Sequence, residues 1–206
     1  MQLLRKLSYF GLLFSTTLMA ADATGAATAT AIHPLLVGAE APAVMVKNAE
    51  GTTINLAEYV KEEPTILIFY RGSWCPYCVK QLTQLEGHVS ELQKLGYRIA
   101  AISQDTPATN GKAQTQHKLS FPILSDLSME AAQKFGLAFQ VDAETTTRYK
   151  GYGIDLVGLY GRTEPLMAVP AVFLFNKEGK ISFQYVNPDY RIRLAPEVLV
   201  AAAKAQ

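Results

Sequence analysis

A chain of 206 residues, 49% apolar and 18% charged, has the length and composition of one globular domain with ample material for a core. Its formal charge of +1 excludes a non-specific grip on nucleic acid, which needs a basic surplus. With only two cysteines, Cys75 and Cys78, it cannot carry the disulfide framework of a small secreted protein.

Arg5 and Lys6 precede a 14-residue apolar run, Leu7 to Ala20, and small residues follow it. A membrane-spanning helix needs about 20 residues, so this run is short for a permanent anchor. The pattern predicts a secretory signal peptide over residues 1–20, cleaved near 20–23, and so an exported, periplasmic protein without permanent membrane insertion. An uncleaved anchor is the competing reading. No cysteine stands near the cleavage region, which excludes a lipoprotein, and cleavage leaves 17 basic against 18 acidic residues. The Ala/Thr-rich stretch 21–31 reads as a flexible lead-in, and residues 32–206 as one domain.

Ala43 to Leu56 alternates apolar and polar residues about Glu50-Gly51, which predicts a hairpin. Thr65 to Tyr70 is apolar throughout and bounded by Pro64 and Gly72, as in a strand buried on both faces. Val79, Leu82, Leu85, Val89, Leu92 and Leu95 form one helical stripe, closed by Gly96. Next come a strand over Arg98 to Ser103, a polar-faced helix over Ala108 to Leu119 and a short strand over Phe121 to Leu124. Ser128 to Phe135 reads as a helix capped by Ser128 and stopped by Gly136. Residues 137–165 have no clear period and carry Tyr149, Tyr152 and Tyr160, an insertion packed over the core. Strands over Ala171 to Phe175 and Ile181 to Val186, joined by a turn at 177–180, and a helix over Ala195 to Ala203 complete the chain. Strand and helix alternation, then a hairpin and a final helix, predicts an α/β domain with a mixed sheet.

Cys75 and Cys78 open a helix directly after the first buried strand. Free amides and the macrodipole at a helix N-terminus favour an anion, so Cys75 is the candidate thiolate. Cys78, a turn deeper, is placed to attack a mixed disulfide or sulfenic acid on Cys75. Pro76 suits the first helical position, where no N–H is needed. Trp74 and Tyr77 flank the pair, and Arg71 can add positive charge. A static disulfide and half of a zinc site are the alternatives; zinc needs four ligands, and His33, His88 and His117 are scattered. No cofactor or metal is expected. Arg191 and Arg193 are either surface charges or groups that reach the thiolate.

Five ordered blocks give the chain a wider resemblance: residues 69–78 (FYRGSWCPYC), 101–105 (AISQD), 121–126 (FPILSD), 169–171 (VPA) and 186–190 (VNPDY). Together they resemble the peroxiredoxin-like branch of the AhpC/TSA (alkyl hydroperoxide reductase and thiol-specific antioxidant) family, over residues 40–200. The resemblance implies a thioredoxin-like fold with an N-terminal β-hairpin extension and an insertion before a cis-proline, Pro170, that touches the cysteines. It also implies reduction of a peroxide, with an external thiol donor resetting the pair. Typical members carry proline seven and threonine three residues before the attacking cysteine; here those positions hold Ile68 and Gly72. Cys-Pro-Tyr-Cys is similar to the glutaredoxin active site, so a thiol-disulfide oxidoreductase acting on protein disulfides is the alternative. The expected partners are a peroxide or disulfide substrate and a thioredoxin-like or other exported reductant.

Overall fold

Thr65 to Phe69 are all buried, and the strand they form, β3 (Thr65–Phe69), has a partner on each edge. The computed structural model describes residues 25–206. The expected signal peptide over 1–20, with cleavage near 20–23, lies outside the described residues.

β3 pairs in parallel with β4 (Arg98–Ser103) and antiparallel with β8 (Ala171–Phe175). On one side the sheet continues through β5 (Ile123–Ser125) to the hairpin β1 (Met45–Lys47) and β2 (Thr53–Asn55). On the other side β9 (Ile181–Val186) closes it, giving the mixed order β2-β1-β5-β4-β3-β8-β9. The hairpin turns where expected, with the Thr52 N–H donating to the Asn48 side chain at 2.8 Å.

Successive residues of a strand face opposite sides, and the two cores follow that alternation. Ile66, Ile68, Ile99, Ala101, Val172 and Leu174 pack on one side, against α2 (Pro76–Glu86), α3 (Val89–Lys94) and α8 (Pro196–Lys204). Leu67, Phe69, Ala100, Ile102, Phe173 and Phe175 pack on the other, against α1 (Leu56–Glu62) and α5 (Glu130–Lys134). Helix α4 (Pro107–Gln116) lies against β5 and starts at Thr106, whose hydroxyl accepts from the Thr109 N–H at 3.2 Å.

Four expectations are corrected. The apolar stripe from Val79 to Leu95 is carried by two helices, α2 and α3, separated at Gly87-His88, and Leu95 is exposed. Helix α5 is shorter than Ser128 to Phe135: Ser128 caps it as expected, accepting from the Glu130 N–H at 3.3 Å, and Asp126 adds a second cap, accepting from the Ala131 and Ala132 N–H groups at 3.0 and 2.8 Å. It stops at Gly136, as expected, because φ is +69° there and a Cβ would lie 1.8 Å from the His33 carbonyl oxygen. Of the lead-in expected to be flexible, residues 25–31 lie against the insertion: Ala26 exchanges backbone hydrogen bonds with Ala138 and Gln140, both at 2.8 Å. The Val169–Pro170 bond is trans, since no cis bond occurs among the described residues. Pro170 stands immediately before β8, where no ladder N–H is demanded of it.

Residues 137–165 do form regular structure. They contain β6 (Ala138–Gln140), α6 (Ala143–Gly151) and α7 (Leu156–Tyr160); β6 pairs with β7 (Leu166–Ala168) in a separate two-stranded sheet.

Burial raises the Asp126 carboxyl from 3.8 to about 6, against the two amide bonds that pull it down. The folded protein therefore takes up a proton between about pH 4 and 6, so this group's contribution to stability is greatest below that window and is lost as pH rises through it. Asp126→Asn removes the titration. The stability of the native chain relative to that variant should fall by roughly 3 kcal/mol between those limits, read from denaturant unfolding at each pH.

Candidate active site

β3 ends against the loop 70–75, and α2 begins at Pro76 with Cys75 as its N-cap residue. Cys75 accepts no capping duty with its side chain; its carbonyl receives the Cys78 and Val79 N–H groups at 3.0 Å. Its sulfur therefore lies at the positive end of an 11-residue helix. Both cysteines are free thiols and both are buried.

The two sulfurs titrate in opposite directions. Hydrogen bonding from the Cys78 thiol, aided by the Arg71 and Arg193 charges, lowers Cys75 from 9.0 to about 6 despite its burial. Burial pushes Cys78 well above its ordinary value, and donating to Cys75 reinforces that. One sulfur is an anion at neutral pH and the other is its proton-bearing partner.

Arg71 is buried, yet no carboxylate pairs with it among the described residues. Its Nε donates to the Met167 sulfur at 2.8 Å and its Nη2 to the Tyr149 hydroxyl. The guanidinium lies 5.0, 5.2 and 4.0 Å from the ring centres of Trp74, Tyr149 and Tyr190. Aromatic faces hold a cation without neutralising it, at about 0.5–2 kcal/mol per contact, so its field remains available to the thiolate. A cavity of about 180 Å³ opens beside Arg71, lined mainly by apolar side chains including Met167, Val169 and Pro170, with Arg148 also on its wall.

The loop before Cys75 is pinned by the insertion. Asp105, two residues beyond β4, accepts from the Ser73 N–H at 2.7 Å and from the Tyr160 hydroxyl at 2.9 Å. Tyr160 in turn accepts from the Trp74 indole N–H at 2.7 Å. Gly72 sits beneath this chain at φ +146°, and a Cβ there would meet Trp74 Nε1 at 2.6 Å and the Tyr160 hydroxyl at 2.9 Å. Threonine at this position would clash with both. Ile68 departs from the family pattern for a different reason. It is the register partner of Ala101 and of Val172 in a strand paired on both edges, where proline would delete a ladder bond.

Of the residues singled out in the sequence, Cys75, Cys78, Arg71 and Trp74 come together, and Pro170 shares the cavity wall with Arg71. Pro76 is the first residue of α2. Tyr77 is largely exposed and flanks the pair only through an edge contact with Tyr190, centres 5.6 Å apart. Arg191 is a surface charge on Asp189 at 2.8 Å, whereas Arg193 reaches Cys78 Sγ at 3.1 Å. Tyr149, Tyr160, Asp105 and Met167 are the site residues that spacing missed. Each comes from a separate stretch of chain, and only the clustering of tyrosines in residues 137–165 hinted at them.

An acidified thiol at a helix start, with a protonated thiol one turn behind it, defines a thiol oxidoreductase. The chain belongs to the AhpC/TSA family, whose sequence pattern matches residues 37–184. Escherichia coli peroxiredoxin Bcp is 27% identical over 106 residues, covering 52% of this chain and 67% of that one. A Mycobacterium tuberculosis protein provisionally named a peroxiredoxin is 27% identical over 153 residues, covering 74% and 86%. The solved structure of Xanthomonas campestris peroxiredoxin Q superposes with a TM-score of 0.63 at 18% identity, covering 84% of this chain and 96% of that one. The fold is thus the thioredoxin-like fold of the peroxiredoxins, and the relatives place the enzyme among the thiol peroxidases.

Alkylation by iodoacetamide should follow the Cys75 thiolate, with a midpoint near pH 6. Cys78 should react far more slowly over that range, because burial and its bond to Cys75 keep it protonated. Arg71→Met should raise the midpoint; a rise of about one in pH slows alkylation roughly tenfold below the original midpoint and much less in alkali. Faster labelling of Cys78 than Cys75 near pH 6 would reverse the two roles.

Proposed function

We propose that the protein is an exported thiol peroxidase that works through a Cys75–Cys78 dithiol/disulfide cycle. The observation that carries this reading is the opposed protonation of the two sulfurs, one an anion and one its hydrogen-bond donor. The Cys75 thiolate attacks the distal oxygen of a hydroperoxide. The O–O bond breaks, that oxygen stays on sulfur as a sulfenic acid, and the alkoxide leaves and takes up a proton as an alcohol. The Cys78 thiol condenses with the sulfenic acid, so an S–S bond forms, the S–O bond breaks and water departs. Two equivalents of an external thiol then reduce the disulfide and are themselves joined as a disulfide.

The cavity beside Arg71 supports an organic hydroperoxide over hydrogen peroxide, since its wall is mostly apolar. Export is supported by the basic start and the 14-residue apolar run of residues 7–20. A second reading, exchange with protein disulfides, is favoured by Gly72, which leaves no threonine hydroxyl before Cys75 to hold a peroxide oxygen.

Steady-state consumption of hydrogen peroxide and of an organic hydroperoxide, with a thioredoxin-type donor, decides between them. Catalytic peroxide loss is expected, faster with the organic substrate. Cys75→Ser should reduce it to the uncatalysed background, and Cys78→Ser should leave a sulfenic acid trapped on Cys75. Rapid reduction of a protein disulfide with no peroxide turnover would establish the second reading instead. Mass spectrometry of the protein recovered from periplasm should find a mature N-terminus near residues 21–24; intact Met1 in the membrane fraction would overturn export.

A further inference from the structure

We propose that Arg193 is a positioning residue for the second half of the cycle, holding the negative charge on Cys78 after Cys75 has been oxidised. The inference deepens the peroxidase reading and rests on it for the identity of the first oxidant.

The guanidinium of Arg193 is fixed at three points. Its Nε donates to the Tyr190 carbonyl at 2.6 Å, Nη1 to the Gln81 side-chain oxygen at 2.7 Å, and Nη2 to Cys78 Sγ at 3.1 Å. Gln81 is buried on α2, three residues beyond Cys78, so one helix carries both the sulfur and the anchor that aims the cation at it. No carboxylate competes for this cation among the described residues; Asp189, close in sequence, is taken by Arg191. The charged and titratable groups that face Cys78 are Cys75 and Tyr70 beside β3 and Arg193 from the segment before α8, while Arg71 reaches it through a backbone hydrogen bond. Both arginines add positive charge at Cys75, and the Arg193 guanidinium in addition hydrogen-bonds to Cys78.

In the reduced enzyme an arginine beside Cys78 looks misplaced, because that thiol is the protonated one. Its use follows from the charge balance of the cycle. While Cys75 is a thiolate, its charge and its hydrogen bond both hold the proton on Cys78. Oxidation turns Cys75 into a neutral sulfenic acid, which removes the like charge and the acceptor together. Burial alone then opposes ionisation of Cys78, and the guanidinium 3.1 Å away opposes burial. The Cys78 proton passes to solvent, and the thiolate attacks the Cys75 sulfur. The S–S bond forms as the S–O bond breaks, and the departing hydroxide takes up a proton as water. The negative charge has moved one helical turn, from the field of Arg71 to that of Arg193.

The test is rapid mixing of the full-length protein with an organic hydroperoxide, following sulfenic acid formation and disulfide formation separately across pH. Arg193→Met should slow disulfide formation about tenfold more than sulfenic acid formation, and should move the midpoint of the second step's pH profile upward by about one. Arg193→Lys, which keeps the charge but not the fork, should restore much of the rate and return the pH profile toward that of the native chain. Equal slowing of both steps by Arg193→Met, or an unshifted pH profile of the second step, would overturn the proposal. Should hydroperoxide fail to oxidise the native protein, the peroxidase reading falls but this one is still tested. Cys75 is then charged as a mixed disulfide with an aromatic disulfide reagent, and release of the aryl thiolate by Cys78 is compared across the same variants, with the same two results deciding it.

Discussion

One negative charge, shared between two sulfurs a helical turn apart, is the constraint around which the rest of the site is arranged. Burying two thiolates together would cost several kcal/mol in mutual repulsion and lost hydration, so one sulfur must keep its proton. The helix start decides which. Cys75 meets the free amides of α2 and the field of Arg71, while Cys78 lies inside the first turn, against Ile68 and the rest of the core on that side of the sheet. Arg71 can act on the anion because rings, a thioether and a phenol hold it in place of a carboxylate.

The insertion has become part of the active site. Through Tyr160 and Asp105 it ties down Trp74 and the Ser73 amide, and through Tyr149 it holds Arg71. The space that a threonine side chain would need at residue 72 is occupied by the indole and phenol. The departure from the family pattern is therefore coupled: the Trp74–Tyr160 bond requires glycine at 72. Where the pattern has a proline and a threonine, this chain has a continuous β3 strand and an indole–phenol pair that fills the space beside Gly72.

Residues 65–70, 98–103, 171–175 and 181–186 showed their strands in the sequence because buried β-branched and aromatic runs bounded by Pro, Gly or a turn have few other uses. The stripe from Val79 to Leu95 misled because its period survives a break. Leu85 and Val89 remain four residues apart and face the same core, although the helix ends at Glu86 and resumes at Val89. Ser128 caps the first amide of α5, as its place in the sequence suggests, but the next two, of Ala131 and Ala132, are taken by Asp126, whose two oxygens reach both at once. The proline at 170 was expected to be cis by analogy with related domains, and it is trans at the position just before β8, where its missing N–H costs no ladder bond.

By itself the sequence determined the chemistry: two cysteines in a Cys-Pro-Tyr-Cys unit after a buried strand leave little but thiol redox, because local backbone geometry puts one sulfur at a helix start and the other a turn behind. It also determined the central strand β3, since burial on both faces is written in its composition. Only the tertiary structure decided which distant groups act on the sulfurs. Arg191 and Arg193 are two residues apart and alike in the sequence, yet one pairs with Asp189 at the surface and the other reaches Cys78. Tyr149, Tyr160, Asp105 and Met167 lie 30 to 92 positions from Cys75 and reach its neighbours Arg71, Ser73 and Trp74 through packing alone. Electrostatic fields act through space, over a few ångströms, and no local pattern records which separated segments the core will press together.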